Sequence, residues 1–179
     1  MPRRKRYAPP GSVLHVTNRG VERRRLFFED ADYEDFVRLF AGARERHRVK
    51  LFALCVMPNH FHALIKPEIE NALSAYLRWV QGCYACDLRV RTQTCGHGHV
   101  FQQRFWSGVI NDDYHFLNVL RYIEANPSEA GLVPRAEGWP WNSLSLRISE
   151  AWMLDPLPIA LPADWPDRVN EKANPYDAD

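Results

Sequence analysis

The sequence predicts an α+β domain with a ferredoxin-like (split βαβ) antiparallel sheet and flanking helices. Apolar side chains alternate between strand and helix spacing in the order β-α-β-β-α-β, and a third helix follows. The second and third strands are separated only by Pro58-Asn59, a turn dipeptide that favours an antiparallel hairpin. A chain of 179 residues is the size of a single domain with a real core.

The first strand and the first helix are predicted from their spacing. Residues 12–20 alternate, with Leu14 and Val16 on one face, and they end in a turn signal. Residues 30–47 place apolar side chains at helical spacing, which predicts a helix with Asp32 as its N-cap.

The remaining elements follow in the same way. Residues 49–57 and 60–67 are predicted strands, 72–90 a helix and 100–110 a fourth strand or an extended segment. A third helix is predicted over 111–126, ending at Asn126 because Pro127 disfavours a helical conformation in the preceding residue. From Pro127 onward the chain is rich in proline, which predicts irregular structure with short helical turns.

Charge suggests three parts: a basic N-terminal arm over 1–12, a domain over 13–145 and an irregular acidic C-terminal tail over 146–179. Residues 1–50 hold 13 Lys and Arg against 7 Asp and Glu, whereas residues 130–179 hold 4 against 8. A basic front half suits a polyanionic partner, but ordinary solvated surface charge would give the same distribution.

Composition gives an expected compartment. No window approaches the length of a transmembrane helix, and the N-terminal residues lack the apolar segment of a signal peptide. We therefore expect a cytoplasmic protein without a membrane partner, whose four cysteines are thiols.

The segment CVMPNHFHALIKP carries two histidines in an otherwise apolar strand. Alternation places His60 and His62 on one face, roughly 6.6 Å apart, and sends Phe61 to the core. Two imidazoles at that spacing can bind one divalent ion. Two unrelated polar-face residues would give the same pattern.

A second pair of polar residues lies near the end of the third helix. Tyr122 and Asn126 are four residues apart and therefore share a helical face. Asn126 offers an amide oxygen, a suitable ligand for Mg²⁺ or Mn²⁺, and Tyr122 offers a phenolic oxygen as a nucleophile. A core tyrosine with a satisfied hydroxyl is the competing interpretation of Tyr122.

Five segments together resemble one family: LHVTNRGVERRRLFFEDADYEDF, VMPNHFHALIKP, HVFQQRFWSGVI, YIEANPSEAGLV and WPWNSL. In this order, from about Leu14 to Leu144, the sequence is similar to the REP-associated tyrosine transposases. These are IS200-like, one-tyrosine members of the HUH class of single-strand DNA transposases and endonucleases.

The resemblance implies a fold and a set of roles. It implies a ferredoxin-like sheet on which His60, His62 and Asn126 bind a divalent metal ion, Mg²⁺ or Mn²⁺, with Tyr122 as the nucleophile. The implied substrate is single-stranded DNA with an imperfect palindromic hairpin and a flanking guide sequence, cut through a covalent 5′-phosphotyrosine. The implied protein is bacterial, nucleoid-associated, and a monomer or weak homodimer.

Positively charged side chains are candidate DNA contacts. Arg3, Arg4, Lys5 and Arg6 form the basic arm, Arg19 ends the first strand, and Arg104 lies beside aromatic residues. Because Arg104, Phe105 and Trp106 alternate along a strand, Phe105 is predicted to face the core.

Three questions stay open at the level of sequence. Cysteines and histidines of one region could bind zinc or simply pack: Cys83, Cys86, Cys95, His97 and His99. The enzyme could also be a domesticated nuclease that processes repeats without mobilising itself. A non-catalytic protein that binds single-stranded DNA hairpins is the third alternative.

Overall fold

The computed structural model describes residues 7–96, 98–149 and 153–171. Four strands form one antiparallel sheet: β1 (Leu14–Arg19), β2 (Val49–Met57), β3 (His60–Pro67) and β4 (Trp106–Val109). Five helices accompany it: α1 (Asp30–His47), α2 (Ala72–Arg91), α3 (Asp113–Glu129), α4 (Ser143–Ile148) and α5 (Trp165–Asn170). Single 3₁₀ turns occur at Val21–Arg23 and Ala136–Gly138.

The strand order is β2-β3-β1-β4 with antiparallel pairing throughout. Two β-α-β units that interleave in this way form the ferredoxin-like arrangement, so the predicted fold class is confirmed. The hairpin between β2 and β3 turns at Pro58 and Asn59, as the turn dipeptide predicts.

Both faces of the sheet are covered. Helices α1 and α2 cover one face, where Phe61 packs among aromatic side chains such as Phe36 and Phe40. Helices α3 and α5 cover the other, where Leu64 packs with Phe116. Alternation along β3 therefore buries Phe61 on the first face and directs the two histidines to the face that α3 covers.

The fourth strand is shorter than predicted. After Thr17 pairs with Trp106, the next pairing joins Gly20 and Phe101 as an isolated bridge. Two residues of β1 thus lie opposite four residues, 102–105, of the other segment, and the Asn18 side chain donates to the Gln103 carbonyl. The 102–105 segment consequently bulges out of the ladder, and the prediction of a strand over 100–110 was wrong for its first half.

Helix α3 continues beyond its predicted end. Pro127 lies inside the helix and is buried, and the helix ends after Glu129. Leu132 N donates to Pro127 O and Gly131 N donates to Ser128 O, the paired bonds of a Schellman motif. Because Gly131 adopts a φ of 69°, the glycine and not the proline ends the helix.

The N-terminus of α1 is capped differently from the prediction. The N-cap is Glu29, and Asp32 lies at the third helical position. The Asp32 carboxylate accepts hydrogen bonds from Phe28 N and Glu29 N. Asp32 therefore supplies one half of a capping box and is not the N-cap.

The chain after α3 packs back onto the domain. Trp165 and Val169 of α5 are buried beside α3, and Asp155 accepts hydrogen bonds from Arg44 and from Leu51 N. The short helices agree with the predicted irregular character of this region, while the domain boundary at residue 145 stays a prediction. Within the described ranges, no helix has the length and apolar character needed to cross a membrane.

Candidate active site

An open cleft of about 600 Å³ lies at the end of the sheet where β1, β3 and β4 meet beneath α3. We call it the catalytic cleft. The side chains that line it include His60, His62, Arg19, Arg23, Arg104, Trp106 and Tyr122. Five residues singled out from the sequence thus line one cleft: His60, His62, Tyr122, Arg19 and Arg104.

The two histidines project from β3 into this cleft as predicted. Their ring centroids are 5.0 Å apart and the rings are nearly perpendicular, at 88°. His62 is 6% exposed, whereas His60 at the start of the strand is partly open to the cleft. Both side chains are held by the hydrogen-bond ladders that β3 forms with β1 and β2.

Each ring has one nitrogen engaged by a neighbouring side chain. Nδ1 of His60 lies 2.7 Å from Asn59 Oδ1, and Nδ1 of His62 lies 3.0 Å from Nε2 of His15. Such contacts hold the ring orientations, and because Asn59 Nδ2 donates to Arg23 O, the Asn59 oxygen accepts from Nδ1 of His60. The side chains around metal-binding histidines are arranged in this way.

His15 is the member of the cluster that sequence reasoning missed. Its ring stacks on His62 with centroids 5.2 Å apart and also lies edge-on to Tyr122 at 6.0 Å. The alternation of β1 sets His15 on the same side as Thr17, which pairs with His62. Placing β1 beside β3, as the fold class requires, would have brought His15 to the site.

The histidines are electrically neutral near pH 7. Burial lowers the pKa of His62 well below 6.5, and the neighbouring His15 and His60 add to the effect. Burial and then Arg19 lower the pKa of His60, and burial lowers the pKa of His15 to about 4. Neutral imidazoles are the form that binds metal ions, since the lone pair must be free.

Tyr122 and Asn126 come from α3 across the cleft. Tyr122 is 47% exposed, and its ring lies 5.3 Å from that of His62. Asn126 Nδ2 donates to Tyr122 O at 2.6 Å, which directs the amide oxygen away from the helix. The Asn126 side chain lies near enough to His60 to raise the pKa of that imidazole, against the larger lowering by burial and Arg19. Spacing of four residues on a helix thus brings both side chains to the histidine pair.

These residues fit a divalent cation. His60 and His62 offer neutral imidazole nitrogens, and Asn126 offers an amide oxygen near His60. In the described ranges no group of three or more histidine, cysteine and acidic side chains is arranged to hold a metal ion. The donor set on offer is therefore mixed: imidazole nitrogen, which suits later transition metals, and amide oxygen, which suits Mg²⁺ or Mn²⁺.

The structure locates four of the five cysteines and histidines that were considered as zinc ligands. Cys83 and Cys86 lie on α2, with Cys83 half-buried and Cys86 exposed, and Cys95 and His99 are exposed in the loop that follows. His97 lies outside the described residues. The described members form no metal-binding group.

Positive charge and an exposed aromatic ring line the rim of the catalytic cleft. Arg19 and Arg104 are both exposed there, as is Arg23, whereas Phe105 is buried as predicted. Trp106 is 57% exposed and folds across Gly108, where a Cβ atom would come within 2.7 Å of the indole. The basic residues Arg3, Arg4, Lys5 and Arg6 lie outside the described residues.

Comparison with solved structures identifies the class of fold. The chain is similar to a REP-associated tyrosine transposase solved in complex with a REP hairpin: the TM-score is 0.68 at 22% identity, over 90% of this chain and 93% of that one. A transposase from Deinococcus radiodurans matches at a TM-score of 0.47 and 14% identity, over 69% of this chain and 96% of that one.

Comparison of sequences identifies the family. Residues 11–126 match the family described as transposase, IS200 like, and the chain belongs to that family of DNA-processing enzymes. A REP-associated tyrosine transposase of Haemophilus influenzae is 26% identical over 121 residues, which cover 61% of this chain and 69% of that protein.

Proposed function

We propose that this protein is a REP-associated tyrosine transposase that cuts and rejoins single-stranded DNA at palindromic hairpins in a metal-dependent reaction. The observation that carries the proposal is the meeting of Tyr122 with His60 and His62 across one open cleft. A tyrosine oxygen beside neutral histidines and an amide oxygen suits attack on a phosphodiester.

The substrate class is supported by the relatives and by the rim of the cleft. A similar structure is described as bound to a REP hairpin, and the curated relative carries the same family name. Arg19, Arg23 and Arg104 supply positive charge for phosphates, and Trp106 supplies a surface on which an unpaired base can stack.

Each group of residues in the cleft has a distinct role in the proposed reaction. His60, His62 and Asn126 would hold Mg²⁺ or Mn²⁺, with Asn59 and His15 fixing the two rings. A divalent ion held there acts as a Lewis acid that neutralises charge on the scissile phosphate. The arginines of the rim hold the neighbouring phosphates, and Tyr122 presents its oxygen from the rigid helix α3.

The chemistry is a transesterification. The Tyr122 oxygen forms a bond to phosphorus, the bond to the 3′ oxygen of the preceding nucleotide breaks, and the phenolic proton is lost as that oxygen gains one. The products are a free 3′-hydroxyl and a DNA 5′ end esterified to tyrosine. One phosphodiester is exchanged for another without hydrolysis, so an incoming 3′-hydroxyl can reverse the step and transfer the strand.

The Tyr122→Phe variant tests the proposal. An oligonucleotide hairpin labelled 3′ of the cut is incubated with protein and Mn²⁺ or Mg²⁺ and analysed on a denaturing gel. Wild type is expected to give a slowly migrating protein–DNA species, and Tyr122→Phe none, because only the attacking oxygen is gone. Hairpin binding by the variant should stay within about twofold of wild type, since a half-exposed hydroxyl adds little affinity.

Tyr114→Phe is the matched control. Tyr114 is 74% exposed at the start of the same helix, so its variant should cleave as wild type does. Cleavage by Tyr122→Phe, or a free 5′-phosphate without a covalent species from wild type, would identify water as the nucleophile. The protein would then be a hydrolytic nuclease and not a strand transferase.

A further inference from the structure

A tight turn over residues 20–25 follows β1 and is rich in arginine; we call it the arginine turn. Arg23 N donates to Gly20 O at 3.1 Å, and Arg24 N donates to Val21 O at 2.9 Å. A Cβ atom at Gly20 would lie 2.3 Å from Arg24 O, so the turn can close in this way only around a glycine. Arg23 of this turn lines the catalytic cleft.

The centre of the arginine turn has a backbone conformation that side chains disfavour. Glu22 has a φ of 54° and Arg23 a φ of 59°, both in the left-handed region. Neither residue is a glycine or an asparagine, the types that adopt this region most readily. Such a conformation persists only where surrounding contacts hold it. The direction in which Arg23 enters the cleft therefore depends on contacts from outside the turn.

The hairpin turn between β2 and β3 supplies these contacts. Pro58 O accepts from Leu26 N and Asn59 O accepts from Gly20 N, each at 2.8 Å. These backbone bonds hold the two sides of the arginine turn. Its centre is held by a side chain, because Asn59 Nδ2 donates to Arg23 O at 3.1 Å.

The other end of the same amide reaches His60, one of the proposed metal ligands. Asn59 Oδ1 lies 2.7 Å from His60 Nδ1. A backbone carbonyl only accepts, so Nδ2 must face Arg23 O, and Oδ1 must face the ring and accept its Nδ1 proton. A neutral imidazole protonated at Nδ1 has its lone pair on Nε2. The Arg23 carbonyl thus determines, through one amide, which nitrogen of His60 can bind a ligand.

We propose that Asn59 is a positioning residue that couples the two parts of the site, an inference that rests on the proposed function. Its Nδ2 holds Arg23 at the rim of the cleft, and its Oδ1 holds His60 with the lone pair on Nε2. Phosphate contacts fix the register of a nucleic acid on a protein. A phosphate bound by Arg23 is therefore aligned with the phosphate at His60 by one side chain, which itself lines the cleft.

The Asn59→Asp variant separates the two hydrogen bonds. Aspartate keeps an oxygen for His60 Nδ1 but has no N–H group for Arg23 O, whereas Asn59→Ala removes both bonds. Mn²⁺ affinity is measured by isothermal titration without DNA. Affinity for an oligonucleotide hairpin with a single-stranded flank is measured by fluorescence anisotropy in EDTA. Asn71→Asp, the same exchange at an exposed asparagine before α2, is the matched control.

The two variants of Asn59 should differ in which affinity they lose. Asn59→Asp should bind Mn²⁺ within about threefold of wild type, since a carboxylate is a usual partner of a metal-binding histidine. It should bind the hairpin about tenfold more weakly, the scale of one lost contact to a charged group. Asn59→Ala should in addition lose Mn²⁺ affinity by about 10- to 100-fold. Asn71→Asp should change neither affinity by more than about twofold. Hairpin binding by Asn59→Asp at the level of wild type would contradict the inference.

A double-mutant cycle with Arg23→Ala shows whether the loss acts through that arginine. Arg23→Ala alone should also lose about tenfold hairpin affinity. Without the arginine side chain its position no longer matters, so adding Asn59→Asp should cost less than about threefold more. Repulsion between the new carboxylate and DNA, or a direct Asn59–DNA contact, would give the full loss in both backgrounds. That result would overturn the inference while wild type still cleaved, whereas a wild type that bound no hairpin would overturn the proposed function as well.

A measurement on wild type keeps the inference testable if a variant folds poorly. Long-range ¹H–¹⁵N correlation spectra of the metal-free protein at about pH 7.5, where imidazole is mostly neutral, identify which ring nitrogen carries the proton. Loss of one set of signals in His60→Gln assigns those of His60. The proton should be on Nδ1, where Asn59 Oδ1 accepts it. A proton on Nε2 would show that the Asn59 amide does not hold this ring as inferred, and the coupling to Arg23 would be wrong.

Discussion

Helix α3 lies between two polar clusters, one on each side of it, and they differ in how completely their hydrogen bonds are satisfied. On the side away from the cleft, the fully buried Glu124 carboxylate accepts from Ser143 Oγ and Trp165 Nε1, each at 2.7 Å, and pairs with Arg147. On the cleft side, each ring of the histidine cluster makes one such contact: Nδ1 of His60 lies beside Asn59 Oδ1, and Nδ1 of His62 lies beside Nε2 of His15.

This difference distinguishes a structural cluster, around Glu124, from a candidate ligand-binding cluster, the histidines. A buried carboxylate whose oxygens are all engaged joins α3 to α4 and α5, and it has no capacity left for a ligand. The histidines are equally well positioned, but as neutral imidazoles they retain lone pairs that a metal ion can bind. The buried Glu124 cluster therefore anchors helix α3 on the side away from the cleft. Tyr122, on the cleft side, can remain half-exposed.

Removing both cleft histidines gives the largest expected effect. The double variant His60→Ala, His62→Ala should lose cleavage by at least about 10³-fold, because charge on the phosphate is no longer neutralised. The variant should still fold, since the apolar cores on both faces of the sheet are unchanged. Gel-based cleavage and urea unfolding measure the two quantities, and His47→Ala, outside the cleft, is the control.

If the double variant cleaved normally, the histidine cluster would not be the functional cluster of the two. The histidines would then be polar-face residues of the sheet, as their spacing alone also allows.

The scaffold side should respond in the opposite manner. Glu124→Ala leaves Arg147 buried beside lost hydrogen bonds and should lower the free energy of unfolding by about 3–5 kcal/mol. Urea unfolding measures this, and Glu129→Ala, exposed at the end of the same helix, should change it by less than about 0.5 kcal/mol. Full stability of Glu124→Ala would mean that α5 does not anchor α3.

The two clusters also differ in how far sequence could predict them. His60 and His62 were predicted because strand alternation is a local rule, and the element order β-α-β-β-α-β defined the sheet. The Glu124 cluster was not, because Ser143 and Trp165 reach it from distant segments. The bulge at 102–105 was not predicted for the same reason: the Asn18 side chain that binds Gln103 comes from another strand.

The buried histidines predict a pH dependence of stability in metal-free buffer. Their pKa values are lowered in the folded protein, that of His15 to about 4 from 6.5. Below pH 6.5 the unfolded chain binds protons that the folded protein does not, so stability should fall as the pH falls below 6.5, and the contribution of His15 should level off below about 4. For His15 the loss is at most about 3 kcal/mol.

Urea unfolding in EDTA at pH 7.5, 6, 5 and 4.5 measures this slope. Asp32 contributes in the same direction only below its ordinary value of 3.8, because its folded pKa is lowered by Phe28 N and Arg91 despite burial. His15→Leu should flatten the slope above pH 4. An unchanged slope in that variant would place the acid sensitivity outside the histidine cluster.

The smallest effect is expected from changing the histidine that supports His62. His15 Nε2 lies 3.0 Å from His62 Nδ1, so it holds the orientation of the His62 ring. His15→Leu should weaken Mn²⁺ binding by about 10- to 100-fold, the usual scale for loss of such a supporting contact. His15→Gln places an amide atom near the lost Nε2 and should recover part of that affinity. Isothermal titration with Mn²⁺ in the absence of DNA separates this role from catalysis. If Leu and Gln at position 15 bound Mn²⁺ equally well and as tightly as wild type, His15 would be a packing residue, and the histidine cluster would reduce to the pair on β3.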